Sequence, residues 1–208
     1  MIRSFVDRFP LVAILRGITP DAAVPVGRAL VAHGFTVVEV PLNSPEPFES
    51  IRRLADALGP EVLVGAGTVT ALDQIAPLQA AGGRLVVMPH SDPAVIRAAK
   101  AAGMACAPGV ATPTEAFAAL GNGADVLKMF PAEAMPPAVL KAWRSVFPPG
   151  TALLPVGGIT PEGMGPYVEA GAAGFGLGSA LYRPGADAQA VAERAAAFAA
   201  AWGRLKGG

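Results

Sequence analysis

The chain has 208 residues, 52% of them hydrophobic and 15% charged, with 16 basic side chains balancing 16 acidic ones. That composition describes a folded core, excludes a disordered chain, and leaves no net field to draw in nucleic acid or an anionic membrane. A lone cysteine, Cys106, excludes an internal disulfide, and with neither a signal-peptide core nor an apolar run of about 18 residues the expectation is a soluble, cytoplasmic protein without nucleic-acid or membrane partners.

One theme repeats along the chain: a short β-rich run, then Pro, Ser, Thr or Asp, then an alanine-rich amphipathic stretch ending in glycine. The first run, "LVAILRG" (11–17), is closed by Arg16, and His33 with Gly34 marks the end of the helix that follows. The second, "VVEVPL" (37–42), holds Glu39. After it, "PEPFESIRRLADALG" places Phe48, Ile51, Leu54, Ala55 and Leu58 at helical spacing, with Gly59 as the stop. The third, "VLVGAGTV" (62–69), ends in Thr68, and the fourth, "RLVVMP" (84–89), ends in Pro89 just before His90. "SDPAVIRAAKAAG" then begins with cap-type residues and again stops on glycine. "MACAPGV" (104–110), "DVLKMF" (125–130), "ALLPVGG" (152–158) and "GFGLGS" (174–179) complete the series.

Each run is almost continuously apolar, as strands buried on both faces are, and strands alternating with helices argue for a parallel sheet. Eight such units in one chain without a composition break predict an α/β fold of the (β/α)8 TIM-barrel type, a single domain spanning residues 1–208. A doubly wound open sheet is the rival architecture.

The polar residues lie at the strand ends where chemistry gathers in a barrel. Alternation along the sixth run puts Val126, Lys128 and Phe130 on one face and Leu127 and Met129 on the other. If the second pair packs under the helices, Lys128 points inward, and by the same rule Glu39 points inward while Val38 and Val40 face the helices. Glu39 and Lys128 read either as a structural ion pair or as chemistry. Arg16 and Thr68 at two further strand ends favour chemistry, since a core has little use for all four. Glycines in "VGGIT" and "GLGSA" put Gly157, Gly158 and Gly178, with Ser179, at the turns after strands seven and eight, where backbone N–H groups can approach an anion. A phosphorylated ligand is expected there.

His33 reads as a helix-capping residue and His90 as a loop or mouth residue. Cys106 reads as an inert core thiol. Two histidines and one cysteine so far apart make no zinc pattern, and no metal or cofactor is expected.

Together "VAILRGITP", "VVEVPLNSP", "VGAGTV", "VLKMFPAE", "PVGGITPE" and "GLGSALY" resemble the class I aldolases that cleave 2-keto-3-deoxy-6-phospho sugar acids, the 6-phosphogalactonate branch more than the 6-phosphogluconate branch. In "MPHSDP" His90 stands where asparagine is more usual. The resemblance implies an imine between Lys128 and the C2 ketone, Glu39 as acid and base, and Arg16 and Thr68 on the substrate carboxylate. It further implies Pro89 and Val156 against the substrate and Gly157, Gly158, Gly178 and Ser179 on the phosphate. Pyruvate and D-glyceraldehyde 3-phosphate are the implied products and a homotrimer the implied assembly. A 6-phosphogluconate or dual-epimer aldolase, a phosphate-binding isomerase or decarboxylase, and a metabolite-binding protein without turnover remain as alternatives.

Overall fold

The computed structural model describes residues 2–206. A short helix, α1 (Ile2–Val6), leads into β1 (Leu11–Ile14), α2 (Pro20–Ala32), β2 (Val37–Pro41), α3 (Pro47–Leu58), β3 (Leu63–Gly67) and α4 (Ile75–Ala80). Next come β4 (Leu85–Val87), α5 (Pro93–Ala101), β5 (Ala105–Ala107), β6 (Gly109–Val110) and α6 (Pro113–Gly121). The chain closes with β7 (Leu127–Met129), α7 (Pro137–Arg144), β8 (Leu153–Pro155), α8 (Met164–Glu169), β9 (Phe175–Leu177) and α9 (Ala188–Lys206). Strand thus alternates with helix as the sequence predicts, with one amendment. The fifth run is two segments, because Pro108 between β5 and β6 has no N–H to give the ladder.

Helix starts follow directly from the sequence. Proline opens α2, α3, α5, α6 and α7, where its missing N–H costs nothing and its fixed φ suits the first turn. Asp92 caps α5, its Oδ1 accepting from the N–H groups of Ala94 and Val95 at 2.7 and 3.3 Å. Thr112 and Glu115 form a reciprocal capping box on α6: Thr112 Oγ1 accepts from Glu115 N at 3.3 Å, and Glu115 Oε2 accepts from Thr112 N at 2.9 Å. Gly59 (φ +68°) ends α3, and His33 is the C-cap of α2, as its position before Gly34 implies.

Every strand pairing is parallel. The strands form two curled sheets, ordered β5-β4-β3-β2-β1-β9 and β6-β7-β8, and a single parallel bridge between Val156 and Gly176 joins the ends of β8 and β9. Alternation sorts side chains into two layers. Leu11, Ala13, Val38, Val40, Leu127 and Met129 pack with the helices. Val12, Val37, Leu63, Leu85, Val126 and Leu154 meet on the concave side, where α1 adds Ile2, Phe5 and Val6. Each fully buried aliphatic or aromatic side chain here contributes about 1.5–3 kcal/mol.

Several inward positions carry glycine, and a side chain would not fit at any of them. A Cβ at Gly65 would lie 2.1 Å from the Leu85 carbonyl oxygen, at Gly109 2.5 Å from the Pro89 carbonyl, and at Gly176 2.7 Å from Val156 Cγ2. No helix among the described residues is long and apolar enough to cross a membrane.

The capping box supplies a direct test of the helix argument. Thr112→Ala removes the oxygen that accepts from Glu115 N and should lower unfolding stability by about 1 kcal/mol in urea, with activity retained. An unmoved midpoint would mean that the box contributes nothing.

Candidate active site

Three ionisable side chains reach the C-terminal end of the concave face from three strands or their ends. Arg16 follows β1, Glu39 lies in β2 and Lys128 in β7, each in step with inward apolar neighbours on its own strand. They open into a cavity of about 470 Å³ whose wall also includes Val156, Gly157, Gly158, Gly178 and Ser179. Below it the side chains close on apolar ground, among them Val12, Leu85, Val126 and Leu154.

Lys128 is 7% exposed and Glu39 2%. Withdrawal from water lowers the pKa of the Lys128 ammonium; the Glu39 charge opposes that and Arg16 reinforces it. For Glu39, burial is again the leading cause and pushes its carboxyl up to about 7, against the pull of Lys128 and Arg16. The two groups therefore act on each other electrostatically, and neither donates to nor accepts from the other in a hydrogen bond. Lys128 Nζ lies 4.6 Å from the centre of the Phe130 ring, a cation–π contact with the residue that directly follows its strand. Glu39 Oε2 has no hydrogen-bond partner. Its carboxyl rests on bare backbone: a Cβ at Gly67 would lie 1.8 Å from that oxygen, so only glycine admits the carboxyl there.

Arg16 is held by its neighbours. Nη1 donates to Asn43 Oδ1 at 2.6 Å, and Nη2 reaches Thr68 Oγ1 at 3.4 Å. Gly17 N donates to Ser44 Oγ at 2.9 Å, so the loops after β1 and β2 are tied together. Thr68 sits at φ +55°, a left-handed conformation that costs a β-branched residue on the order of 1–3 kcal/mol and is the kind of strain that gathers at working sites. Thr68 touches the site through Arg16 and does not line the cavity wall.

Pro89 and His90 are also off that wall. The Pro89 backbone packs against Gly109, and the His90 carbonyl accepts from Gly109 N at 3.1 Å. Cys106 is buried on the helix side; burial, then Asp125, pushes its thiol up to about 12, which fits an inert core residue. Among the described residues no group of three or more His, Cys, Asp or Glu is placed to hold a metal ion.

Sequence reasoning missed Asn43, Gly67, Glu133, Thr160 and Arg183. The last three line the cavity from loops, and Arg183 is anchored by its Nε donating to the Ser179 carbonyl at 3.1 Å. Two of the five carried a readable signal: Asn43 directly follows the Glu39 run, and Gly67 shares the inward parity of its strand.

The raised Glu39 value has a thermodynamic sign. Between its ordinary 4.5 and about 7 the unfolded chain is ionised while the folded chain keeps its proton. The associated stabilisation is whole below the lower value and is lost as pH rises through the upper one. Glu39→Gln does not titrate. Its stability in urea, relative to the parent, should therefore rise by about 2–3 kcal/mol from about pH 4.5 to about pH 8. A constant difference over that range would contradict a raised carboxyl.

Comparison with known proteins places this chain in a family. Residues 2–193 match the family described as "Aldolase: KDPG and KHG aldolase". The 2-dehydro-3-deoxy-6-phosphogalactonate aldolase of Escherichia coli (strain K12) is 47% identical over 195 residues, 94% of this chain and 95% of that protein. A probable 2-dehydro-3-deoxy-6-phosphogalactonate aldolase of Rhizobium meliloti (strain 1021) is 46% identical over 96% of this chain and 94% of its own length. A solved structure described as native KDPGal superimposes with a TM-score of 0.94 at 46% identity, covering 96% of this chain and 97% of that one. The chain belongs to the KDPG and KHG aldolase family.

Proposed function

We propose that the chain is a class I aldolase that cleaves 2-dehydro-3-deoxy-6-phosphogalactonate to pyruvate and D-glyceraldehyde 3-phosphate through an imine on Lys128. The observation that carries the reading is the burial of Lys128 and Glu39 in one cavity, which lowers the pKa of the amine and raises that of the carboxyl to about 7. An ordinary lysine, with a pKa of ~10.4, is a free amine only about once in 2,500 molecules near pH 7. Desolvation raises that fraction, so the cost of hiding an ammonium becomes the means of deprotonating it.

The residues take their parts in sequence. The Lys128 amine attacks the C2 ketone, and the carbinolamine loses water to give a protonated imine. Glu39, poised near neutrality, takes the proton of the C4 hydroxyl. The C3–C4 bond breaks, its electron pair moves into the imine as an enamine, and C4 leaves as the aldehyde. Glu39 returns its proton to C3, and water releases pyruvate from Lys128. Arg16, oriented by Asn43 and Thr68, holds the carboxylate through a charge-assisted pair. The N–H groups of Gly157, Gly158 and Gly178 and the Ser179 hydroxyl receive the phosphate, and Arg183 supplies the cation at that end of the cavity.

The same proposal includes the finer architecture. The two sheets are read as one closed eight-stranded barrel in a single domain. Supporting this, Pro108 alone separates β5 from β6, the Val156–Gly176 bridge links β8 to β9, and six strands contribute side chains, with β9 contributing the Gly176 main chain, to one interior cavity. The homotrimer implied by the resemblance and a cytoplasmic location are retained as parts of it.

Incubation with pyruvate and borohydride should label one lysine, and peptide mapping should place the label on Lys128. Label on Lys100, Lys141 or Lys206 would overturn the mechanism. Lys128→Arg should be inactive and unlabelled, because a guanidinium stays protonated.

Epimer preference is expected to be set at Val156, which is buried at the cavity floor between Lys128 and the glycine turns. Valine has the shape of threonine but offers a C4 hydroxyl no partner. Val156→Thr should raise the gluco/galacto ratio of kcat/KM several-fold to about tenfold, the worth of one hydrogen bond to a neutral group. A ratio unmoved by the substitution would place the preference elsewhere.

A further inference from the structure

Glu133 is a carboxylate in an unexpected place. It lines the cavity at the end assigned above to the phosphate, where like charge is unfavourable. It is also firmly mounted. The 3-10 turn Ala132–Ala134 is tied to the end of β8 by Ala132 N donating to Val156 O at 2.9 Å. The Tyr167 hydroxyl lies 3.0 and 3.1 Å from the carbonyls of Ala132 and Met135 and braces the turn from behind. The carboxylate itself lies over the Gly157–Gly158 turn: a Cβ at Gly157 would be 2.1 Å from Oε2, and one at Gly158 2.7 Å from Cγ. Glu133 accepts no hydrogen bond from any described residue.

We propose that Glu133 accepts a hydrogen bond from the C5 hydroxyl of the substrate, the hydroxyl carried by the aldehyde product, and so selects a hydroxylated phospho-aldehyde. This rests on the aldolase reading above. The order of groups along the cavity supports it. Lys128 takes C2 and Val156 lies beside C4, so the next hydroxyl-bearing carbon falls opposite the Gly157–Gly158 turn. The glycine N–H groups, Ser179 and Arg183 are donors and suit the phosphate. Of the acceptors there, Thr160 Oγ1 is partly engaged by Gly163 N at 3.2 Å, whereas the Glu133 carboxylate is charged and accepts from no described residue, which makes it the stronger acceptor for the hydroxyl. A hydroxyl on a carboxylate is a charge-assisted bond, and an acceptor lacking that hydroxyl leaves Glu133 facing the phosphate with nothing between.

The test is aldol addition of pyruvate by the full chain to D-glyceraldehyde 3-phosphate and to 3-phosphooxypropanal, which lacks only the hydroxyl. The parent should favour the hydroxylated aldehyde by about tenfold or more in kcat/KM. Glu133→Ala should erase that preference by losing activity on the hydroxylated aldehyde alone. Glu133→Gln, which keeps an acceptor oxygen and the side-chain shape, should fall between. A parent without preference, or a ratio unchanged in both variants, overturns the proposal, since a purely structural carboxylate would depress both aldehydes together. Borohydride trapping of pyruvate, which has no aldehyde half, separates the two levels. Trapping retained in the parent and both variants keeps the imine reading whatever the ratio does. Trapping lost only in the variants assigns Glu133 to support of Lys128 and overturns the proposal. A parent that traps no pyruvate overturns the aldolase reading and the proposal with it.

Discussion

An ammonium and a carboxylate taken out of water together must either neutralise each other or give up their charges, and that constraint organises this molecule. Lys128 and Glu39 stand on the inward faces of β7 and β2 above an apolar interior. Both are buried, facing the cavity, and they form no direct hydrogen-bonded pair. Burial lowers the proton affinity of the amine and raises that of the carboxyl. The two affinities approach each other, so the free-energy gap between ammonium–carboxylate and amine–acid shrinks. In the mechanism proposed above, that narrowed gap is what lets a proton pass between lysine, substrate and glutamate in either direction. Arg16 tunes the balance from the mouth, favouring both the neutral amine and the ionised acid.

The surroundings hold these groups still. Loops after β1 and β2 are stitched by Arg16–Asn43 and Gly17–Ser44, and Thr68 is kept in a conformation it would not choose alone. At the other end, Ala132 and Tyr167 fix the short turn over the glycine pair. The site is thus arranged before a ligand arrives, and binding energy is not spent on ordering it.

How much of this was legible in the sequence depended on whether a residue obeys a period. The parity of Lys128 with Val126, and of Glu39 against Val38 and Val40, follows from the two-residue repeat of a strand buried on both faces, and it held. Helix starts were legible because proline and the capping residues act within a few positions. The split at Pro108 was readable in principle from the missing N–H. Glu133, Thr160 and Arg183 were not, because they ride on loops whose course is set by packing between distant segments. Pro89 was placed against the substrate by the resemblance alone, and the close approach of its backbone to Gly109 is a packing relation that no sequence period announces.

The inward glycines carry a consequence for how such a protein can change over time. Where Gly65, Gly67, Gly109 and Gly176 face the interior, part of the wall is main chain, with space already taken up by Leu85, Glu39, Pro89 and Val156. Glycine has no smaller replacement, so every coding change at these positions adds atoms and none can enlarge the chamber. Variation in what the chamber accepts is therefore channelled onto the side chains of the cavity, Val156 at its floor and Glu133 and Arg183 along its wall. There a substitution trades one shape or charge for another and leaves the main-chain wall as it was. Lineages that diverge in substrate should differ at such side chains and agree on the glycines.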